Sequence, residues 1–475
     1  MGWYSHRMDA QKTARFMEAI WDDAIIPALT DYIRIPAKSP AFDPQWEKTG
    51  HMQKAVALFE TWARDKIKAL HGAKLDVVRE AGRTPLILIE VPGKAAGTIL
   101  MYGHLDKQPE MKGWTTGPWE PVVKDGKLYG RGGADDGYAM FASLSALLAL
   151  KDQGIAHGRA VILIEASEES GSPDLPFYVD KLADRIGTPD LVVCLDSGAG
   201  NYEQLWLTTS LRGNLIGNLT VKVLTEGVHS GAASGIVPSS FRIMRQLLSR
   251  IEDEETGAMT LQPLFVDIPP ERIEQARATA KILGDTVWRE MPFDGGTKPM
   301  GEDNVELILN RSWRPQLAVT GMDGYPLPEH GGNVLLPYST VKLSLRLPPT
   351  CDAQMAMQSV KKALEEKPPY RAEVRFDGPA ADDGWNAPTL SPWLAKALDK
   401  ASMDAFGAPP CFIGEGGSIP FMAMLGAKFP KTQFVVTGVL GPHSNAHGPN
   451  EFLHIAFAKK LSACIASILA DHGAQ

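Results

Sequence analysis

The feature that most constrains this chain is an apolar run that ends in two polar residues. Residues 98–109 read Thr-Ile-Leu-Met-Tyr-Gly-His-Leu-Asp-Lys-Gln-Pro, so His104 and Asp106 close the run two positions apart. In an extended strand, residues two apart leave on the same face. A metal-binding imidazole commonly donates its second ring N–H to a carboxylate, which fixes the tautomer and raises ligand basicity. The pair is typical of a metal ligand and its orienting acid, although a strand that simply enters a loop would give the same residues.

The surrounding pattern predicts the layers of the fold. Apolar runs predict strands at 74–79, 86–91, 98–103, 159–166 and 190–196. Helical spacing predicts helices at 9–35, at 51–71 and from Gly137 onward, and the same style resumes after residue 385. Strands that alternate with helices indicate an α/β domain with a mostly parallel central sheet flanked by helices.

A different pattern in the middle of the chain predicts a second domain. Residues 213–224 alternate like a strand with one wet face, and a proline-rich, charged connection runs through the 260s to the 330s. The remaining predicted elements there are a helix at 237–251, strands at 338–347 and 370–377, and a helix at 352–366. We therefore predict an α+β domain of residues 212–385, inserted between a first part of the main domain, 1–211, and a second part, 386–475.

Charge and cysteine content exclude several classes of function. The net charge of −8 argues against a nucleic-acid partner. No apolar run reaches the length of a membrane span, and the N-terminus lacks the apolar segment of a leader peptide, so we expect neither a membrane nor processing. The four cysteines form no C-x-x-C pair, which favours a reducing cytoplasm over a disulfide framework.

Further acids and histidines stand where α/β chemistry belongs, at strand ends and in the loops that follow them. Each cluster alone has an ordinary explanation, such as a capped helix start for the paired aspartates. Together they supply the mixed nitrogen and oxygen ligands of a dinuclear metal site. The residues are Asp135, Asp136, Glu168, Glu169, Asp196, His443 and His447.

The ordered set of motifs resembles the dinuclear zinc hydrolase family of aminoacylase, carboxypeptidase G, succinyl-diaminopimelate desuccinylase and carnosine dipeptidase, and most closely its dipeptidase branch. The resemblance covers nearly the whole chain. It implies a zinc-peptidase-like catalytic domain and an inserted ferredoxin-like domain that acts as a lid and dimerises. It also implies two divalent metal ions per chain, zinc in the first place, with manganese or cobalt as alternatives.

The resemblance further implies a role for each site residue, and a cis peptide bond after Asp135. His447 is preferred over His443 because the family's ligand stands four residues before an acid, here Glu451. The implied roles are His104 and Asp196 on the first metal, Glu169 and His447 on the second, Asp135 bridging both, Asp106 orienting His104, and Glu168 as general base.

The inserted domain carries the implied substrate residues. His229, in Gly-Val-His-Ser-Gly, resembles a lid histidine that enters the partner subunit's site and polarises the scissile carbonyl. Asn333, Arg346 and the loop with Gly417 and Ser418 fall on positions that bind the C-terminal part of a substrate. A guanidinium suits a carboxylate bidentately. The chain departs from the branch at Gly137, where a lysine usually follows the paired aspartates.

These observations predict a cytoplasmic, homodimeric metal-dependent hydrolase of dipeptides or short peptides with a free C-terminal carboxylate. An N-acyl amino acid deacylase or desuccinylase, using the same metal site, is the nearest alternative. A more remote alternative is a non-catalytic binding protein that has kept the fold. The sequence does not specify the substrate side chains, the metal, or whether His229 acts in its own subunit or in the partner's.

Overall fold

The computed structural model describes residues 8–417 and 419–475. The predictions for the N-terminal segment 1–7 and for Ser418 lie outside the described residues. The chain forms two units. The first comprises residues up to Thr208 together with Ala387–Ile413 and Met424–Gln475, and the second comprises Thr209–Asn386 together with Gly414–Ala423.

The segment Gly414–Ala423 groups differently from the sequence analysis, which assigns it to the catalytic domain. The backbone of this segment is hydrogen-bonded to Arg212 of the second unit. The Arg212 Nε donates to the Gly416 carbonyl at 3.2 Å, and the Arg212 backbone N–H donates to the Gly417 carbonyl. The predicted limits of the inserted domain, 212–385, stay a prediction.

A six-stranded sheet organises the first unit. Its central strand Thr98–His104 pairs in parallel with Arg159–Glu165 on one side and Leu191–Cys194 on the other. Positions 99–104, 160–165 and 191–194 of these strands are all buried, as a parallel sheet covered on both faces requires, and every residue there except His104 and Glu165 is apolar or small. In spatial order the strands are Lys74–Val78, Leu86–Val91, Arg159–Glu165, Thr98–His104, Leu191–Cys194 and Gln433–Val436.

Helices flank this sheet, as the alternation predicts. Ala139–Asp152 is buried along nearly its whole length because it packs against both the sheet and the C-terminal helix Ile455–His472. Among the described residues, no helix is both long and apolar enough to cross a bilayer. The main helices are Ala10–Ile20, Ile26–Ile33, His51–Ile67, Ala139–Asp152, Leu175–Lys181, Pro392–Phe406 and Ile455–His472.

The second unit has a four-stranded antiparallel sheet with the strand order of a ferredoxin-like fold. Gly213–Lys222 alternates buried and wetter residues, as predicted, because only one face meets the helices. Helix Ala353–Glu365 begins at Asp352, whose carboxylate accepts from the Met355 N–H at 2.8 Å. In spatial order the strands are Gln316–Asp323, Tyr338–Leu347, Gly213–Lys222 and Glu373–Asp382, and helices Ser240–Leu248 and Ala353–Glu365 pack on them.

The sequence analysis places no helix or strand in the connection through the 260s to the 330s, and the structure differs. The segment contains helices Pro270–Leu283 and Asn304–Ser312 and the edge strand Gln316–Asp323. The first helix hides its periodicity because its buried residues are Arg272, Ala276 and Thr279, only one of which is apolar.

Candidate metal centre

The site residues of the first unit gather at one edge of its sheet. Parallel strands end at the same edge, and here Thr98–His104, Arg159–Glu165 and Leu191–Cys194 are neighbours. His104 closes the first of these strands, Glu168 and Glu169 follow the second, and Asp196 follows the third. The topology therefore brings together residues that are far apart in the chain.

His104 faces two carboxylates at this edge. Its Nε2 lies 3.2 Å from Asp135 Oδ1 and 3.7 Å from Asp196 Oδ2. Asp136 is also within reach of a shared ion, but its Oδ2 accepts the His104 backbone N–H at 3.2 Å. The ring nitrogen thus faces Asp135, while Asp136 supports the backbone at the strand end. The peptide bond between Asp135 and Asp136 is cis, as the resemblance implies.

A second group forms around the other oxygen of Asp135. His447 Nε2 lies 3.1 Å from Asp135 Oδ2 and 3.3 Å from Glu169 Oε2. His443, the other histidine of the loop, is exposed like His447, but His447 is the one placed against Asp135 and Glu169. Asp135 consequently presents one carboxylate oxygen to His104 and the other to His447, which is the arrangement of a carboxylate able to bridge two ions.

Asp106 connects His104 to the two glutamates. The His104 Nδ1 lies 3.1 Å from the backbone carbonyl of Asp106 and 3.5 Å from its carboxylate. The carboxylate itself accepts the backbone N–H groups of Glu168, at 3.1 Å, and Glu169, at 3.0 Å. Asp106 therefore fixes both the imidazole and the turn that carries the paired glutamates.

The buried carboxylates of this cluster favour the binding of a cation. Burial raises the pKa of Glu168 well above its ordinary value, and the Asp196 carboxylate raises it further. Burial and the Asp135 carboxylate do the same to the pKa of Glu169. Burial lowers the pKa of His104, but Asp196 and the other carboxylates outweigh it and raise that pKa overall. Crowded buried carboxylates are costly unless they bind a cation or a proton.

An unsatisfied atom supports the fit of a metal ion. Glu169 Oε1 is buried and has no hydrogen-bond partner among the described residues. Together with two imidazoles and several carboxylates, it offers the nitrogen and oxygen donors that zinc, manganese and cobalt accept. These residues therefore fit divalent ions.

Sequence reasoning missed several supporting residues. Gln108 donates from its side-chain amide to Glu169 Oε2 at 2.5 Å. The carboxylate of Glu165, fully buried in the strand before the glutamates, accepts from Tyr102 and Ser172 hydroxyls at 2.6 and 2.8 Å. Arg131 and Glu451 form a buried ion pair beside Asp135. Arg131 stands inside Gly-Arg-Gly-Gly, directly before the paired aspartates, but nothing in the sequence indicates Glu451 as its partner.

The geometry also explains why Gly137 replaces the usual lysine. A Cβ at this position would lie 2.3 Å from the Tyr32 ring and 2.6 Å from the Gly132 carbonyl. The Tyr32 side chain is fully buried, and its hydroxyl donates a hydrogen bond to the Leu105 carbonyl at 2.8 Å. The ring therefore cannot move aside without breaking that hydrogen bond. Glycine at 137 is therefore a packing requirement of this chain.

The predicted lid residues lie in the second unit. His229 is exposed and pairs with Val334 in a two-stranded ribbon, Val228–His229 with Val334–Leu335. The Asn333 carbonyl accepts the Ser230 N–H at 2.9 Å, so His229 and Asn333 are held in one local structure.

Two of the other predicted substrate residues, Arg346 and Gly417, lie in a cationic region of the same unit. Arg346 lies in the strand Tyr338–Leu347, and burial lowers its pKa. Burial, followed by the Arg346 and Arg311 guanidinium groups, lowers the pKa of Arg212 to about 10. Arg212 in turn bonds to the loop with Gly416 and Gly417. Neighbouring guanidinium groups beside a glycine loop make a region suited to a carboxylate.

The chain is similar in sequence and fold to known dipeptidases. The cysteinylglycine-S-conjugate dipeptidase of Corynebacterium striatum is 29% identical over 421 residues, 84% of this chain and 87% of the relative. The β-Ala-His dipeptidase of Homo sapiens is 28% identical over 397 residues, 80% of this chain and 76% of the relative. The crystal structure of human carnosine dipeptidase 1 superposes with a TM-score of 0.77 at 22% identity, covering 98% of this chain and 99% of the other.

A profile of one family matches most of the chain, residues 100–471. The match confirms the predicted family and, with it, the expectation of an enzyme. The α/β domain with its mostly parallel sheet is likewise confirmed. The chain belongs to peptidase family M20/M25/M40.

Proposed function

We propose that this enzyme is a metal-dependent dipeptidase acting on dipeptides or short peptides with a free C-terminal carboxylate. The carrying observation is that Asp135 presents one oxygen to His104, at 3.2 Å, and the other to His447, at 3.1 Å. Relatives named as dipeptidases, such as that of Corynebacterium striatum, support the choice of substrate class.

Two ions would share Asp135. His104 and Asp196 complete the first position, and Glu169 and His447 the second. Imidazole and carboxylate ligands favour zinc and also suit manganese or cobalt. When bound, such ions polarise the scissile carbonyl and lower the pKa of water.

Glu168 acts as the general base. Its Oε2 lies 4.0 Å from His104 Nε2, close to the ligands, and its backbone is fixed by Asp106. It accepts a proton from the attacking water and delivers that proton to the leaving amine, which keeps the proton inside the site.

His229, Asn333, Arg346, Gly417 and Ser418 bind the substrate. His229 donates to the carbonyl oxygen as negative charge develops there. Arg346 pairs with the C-terminal carboxylate, supported by the cationic surroundings of Arg212. The enzyme is a homodimer through the second unit, and His229 serves the site of the partner subunit.

The enzyme works in the reducing cytoplasm. All four cysteines are buried and free, which agrees with a compartment where disulfides do not form.

The experiment is metal add-back to chelator-treated protein, with metal content measured in parallel. A dipeptide panel, the same dipeptides with a C-terminal amide, and N-succinyl and N-acetyl amino acids are the substrates. Activity on free dipeptides that returns at about two zinc or manganese ions per chain supports the proposal. Two bound ions with turnover of N-acyl amino acids alone would replace it with the deacylase, and failure to bind metal would refute the site.

A further inference from the structure

Arg131 and Glu451 form an ion pair inside the first unit. The Arg131 Nη1 donates to Glu451 Oε2 at 2.8 Å, and the two side chains are 1% and 0% exposed. The residues are 320 positions apart in the sequence. The pair therefore joins two distant loops in a region that water does not reach.

Glu451 holds the turn that carries Asp135. Its Oε1 accepts three backbone N–H groups of that turn, from Gly132 at 3.1 Å, Ala134 at 3.2 Å and Asp135 at 3.2 Å. The Glu451 carbonyl also accepts the Gly130 N–H. One carboxylate thus fixes the backbone of the residue that faces both histidines.

Arg131 holds the loop that carries His447. Its Nη2 donates to the carbonyl of Gly448, the next residue, at 2.8 Å. The His447 side chain is 58% exposed, and its backbone has a positive φ of 64°. A histidine in such a conformation depends on its loop more than on packing for its position. Together with Glu451, Arg131 ties that loop to the Asp135 turn.

A buried ion pair is weak evidence for stability, because the cost of desolvating two charges offsets their attraction. The contacts of the Arg131–Glu451 pair with the Asp135 turn and the His447 loop explain its presence better than stability does. Outer residues that orient metal ligands commonly change metal affinity when they are substituted.

We propose that Arg131 and Glu451 are positioning residues that set the separation of Asp135 and His447, and thereby the affinity of the ion held by Asp135, Glu169 and His447. The inference rests on the proposed function. It assigns no contact with substrate to either residue.

The test compares R131K and E451Q with the control R159K. Lysine keeps the charge at 131 but cannot reach both Glu451 and Gly448, and glutamine keeps an oxygen for the three N–H groups but loses the anion. Arg159 is an arginine at the start of the strand Arg159–Glu165, the end that lies away from the site, and its side chain is 33% exposed. It also bonds one carboxylate, Glu90 at 2.9 Å, and donates to two carbonyls, those of Ile186, at 3.1 Å, and Arg185.

Zinc affinity is measured by competition with a chromophoric chelator, and the cobalt-substituted proteins are compared by visible absorption. We expect R131K and E451Q to bind the second ion about 10- to 100-fold more weakly, with an altered cobalt spectrum. Turnover of a dipeptide should return towards the wild-type level when metal is raised in excess. R159K should titrate like wild type.

Folded R131K and E451Q proteins with wild-type metal affinity would overturn the proposal. Variants that do not fold even in excess metal would also overturn it, because they would assign the pair to stability alone. Failure of the proposed function has a different signature: the wild-type protein would then fail to bind two ions or to cleave dipeptides.

Discussion

The carboxylate of Asp106 accepts the backbone N–H of Glu168 at 3.1 Å. The proposed base is thus held by the same residue that orients His104. The other carboxylate oxygen of Asp106 accepts the Glu169 N–H at 3.0 Å. Asp106 therefore couples His104, a proposed metal ligand, to the turn that carries Glu169, the next proposed ligand, and substitutions at Asp106 should disturb both.

D106N should weaken zinc binding and turnover about 10- to 100-fold, because an amide nitrogen would face one of the two backbone N–H groups. D190N is the control. Asp190 also accepts a backbone N–H, from Thr98 at 2.8 Å, and faces an imidazole, His472 at 3.1 Å, at the opposite end of the strand. Chelator competition and steady-state kinetics measure the effect. Equal losses in both variants would contradict a specific role for Asp106.

E168Q and E169Q separate the base from the ligand. E168Q should keep both ions and lose about 10²- to 10⁴-fold in kcat, because the proton acceptor is removed. E169Q should lose metal affinity instead. Metal content by elemental analysis and kcat at saturating zinc distinguish the two. Turnover by E168Q at the wild-type rate would reject the base assignment.

The free energy of unfolding of the metal-free chain should fall as the pH rises from about 4.5 to 7, because the Glu165 carboxyl group loses its proton in this range. Burial raises the pKa of Glu165 from 4.5 to about 7, so in this range the folded state binds more protons than the unfolded state. Stability then falls with pH, by on the order of 3 kcal/mol from this residue, and levels off above the folded pKa.

E165Q should remove that part of the pH dependence, because glutamine retains an oxygen for the Tyr102 and Ser172 hydroxyls without a charge. Urea unfolding of both metal-free proteins at pH 5 and pH 8 gives the difference. An unchanged pH dependence in E165Q would show that Glu165 does not titrate in this range.

R346A should reduce kcat/KM for a free dipeptide by about 10- to 100-fold, mainly through KM, because a charge-assisted hydrogen bond to the carboxylate is lost. The C-terminal amide of the same dipeptide should be affected little. R375A is the control, since the Arg375 side chain is 62% exposed on the strand Glu373–Asp382. Equal losses on both substrates would argue against carboxylate recognition.

H229A should lose about 10²- to 10³-fold in kcat without losing metal, because a donor to the developing oxyanion is removed. Mixing H229A with E168A tests action across a dimer. Random exchange leaves one intact site in half of the dimers, so about a quarter of wild-type activity should return. Absence of recovery, once exchange is verified with differently tagged chains, would place His229 in the site of its own chain.

The sequence by itself determined the strands that carry the candidate site and the residue types at their ends. The run 98–104 predicts a buried strand, and the strand Thr98–His104 is one. The order of acids and histidines identified the family, which the match over residues 100–471 confirms. Such features can be predicted locally, because the apolar pattern of a strand and the residues at its end both lie within a short segment of sequence. The assignment of roles to the site residues stays a prediction.

Only the tertiary structure decided how distant residues combine. The pairing of Arg131 with Glu451 joins positions 320 residues apart, and no pattern specifies such a contact. Gly137 is explained only by the Tyr32 ring 2.3 Å from its missing Cβ. Helix Pro270–Leu283 escaped prediction because packing, rather than an apolar stripe, places it. Long-range packing sets these features, and it depends on the whole chain being folded.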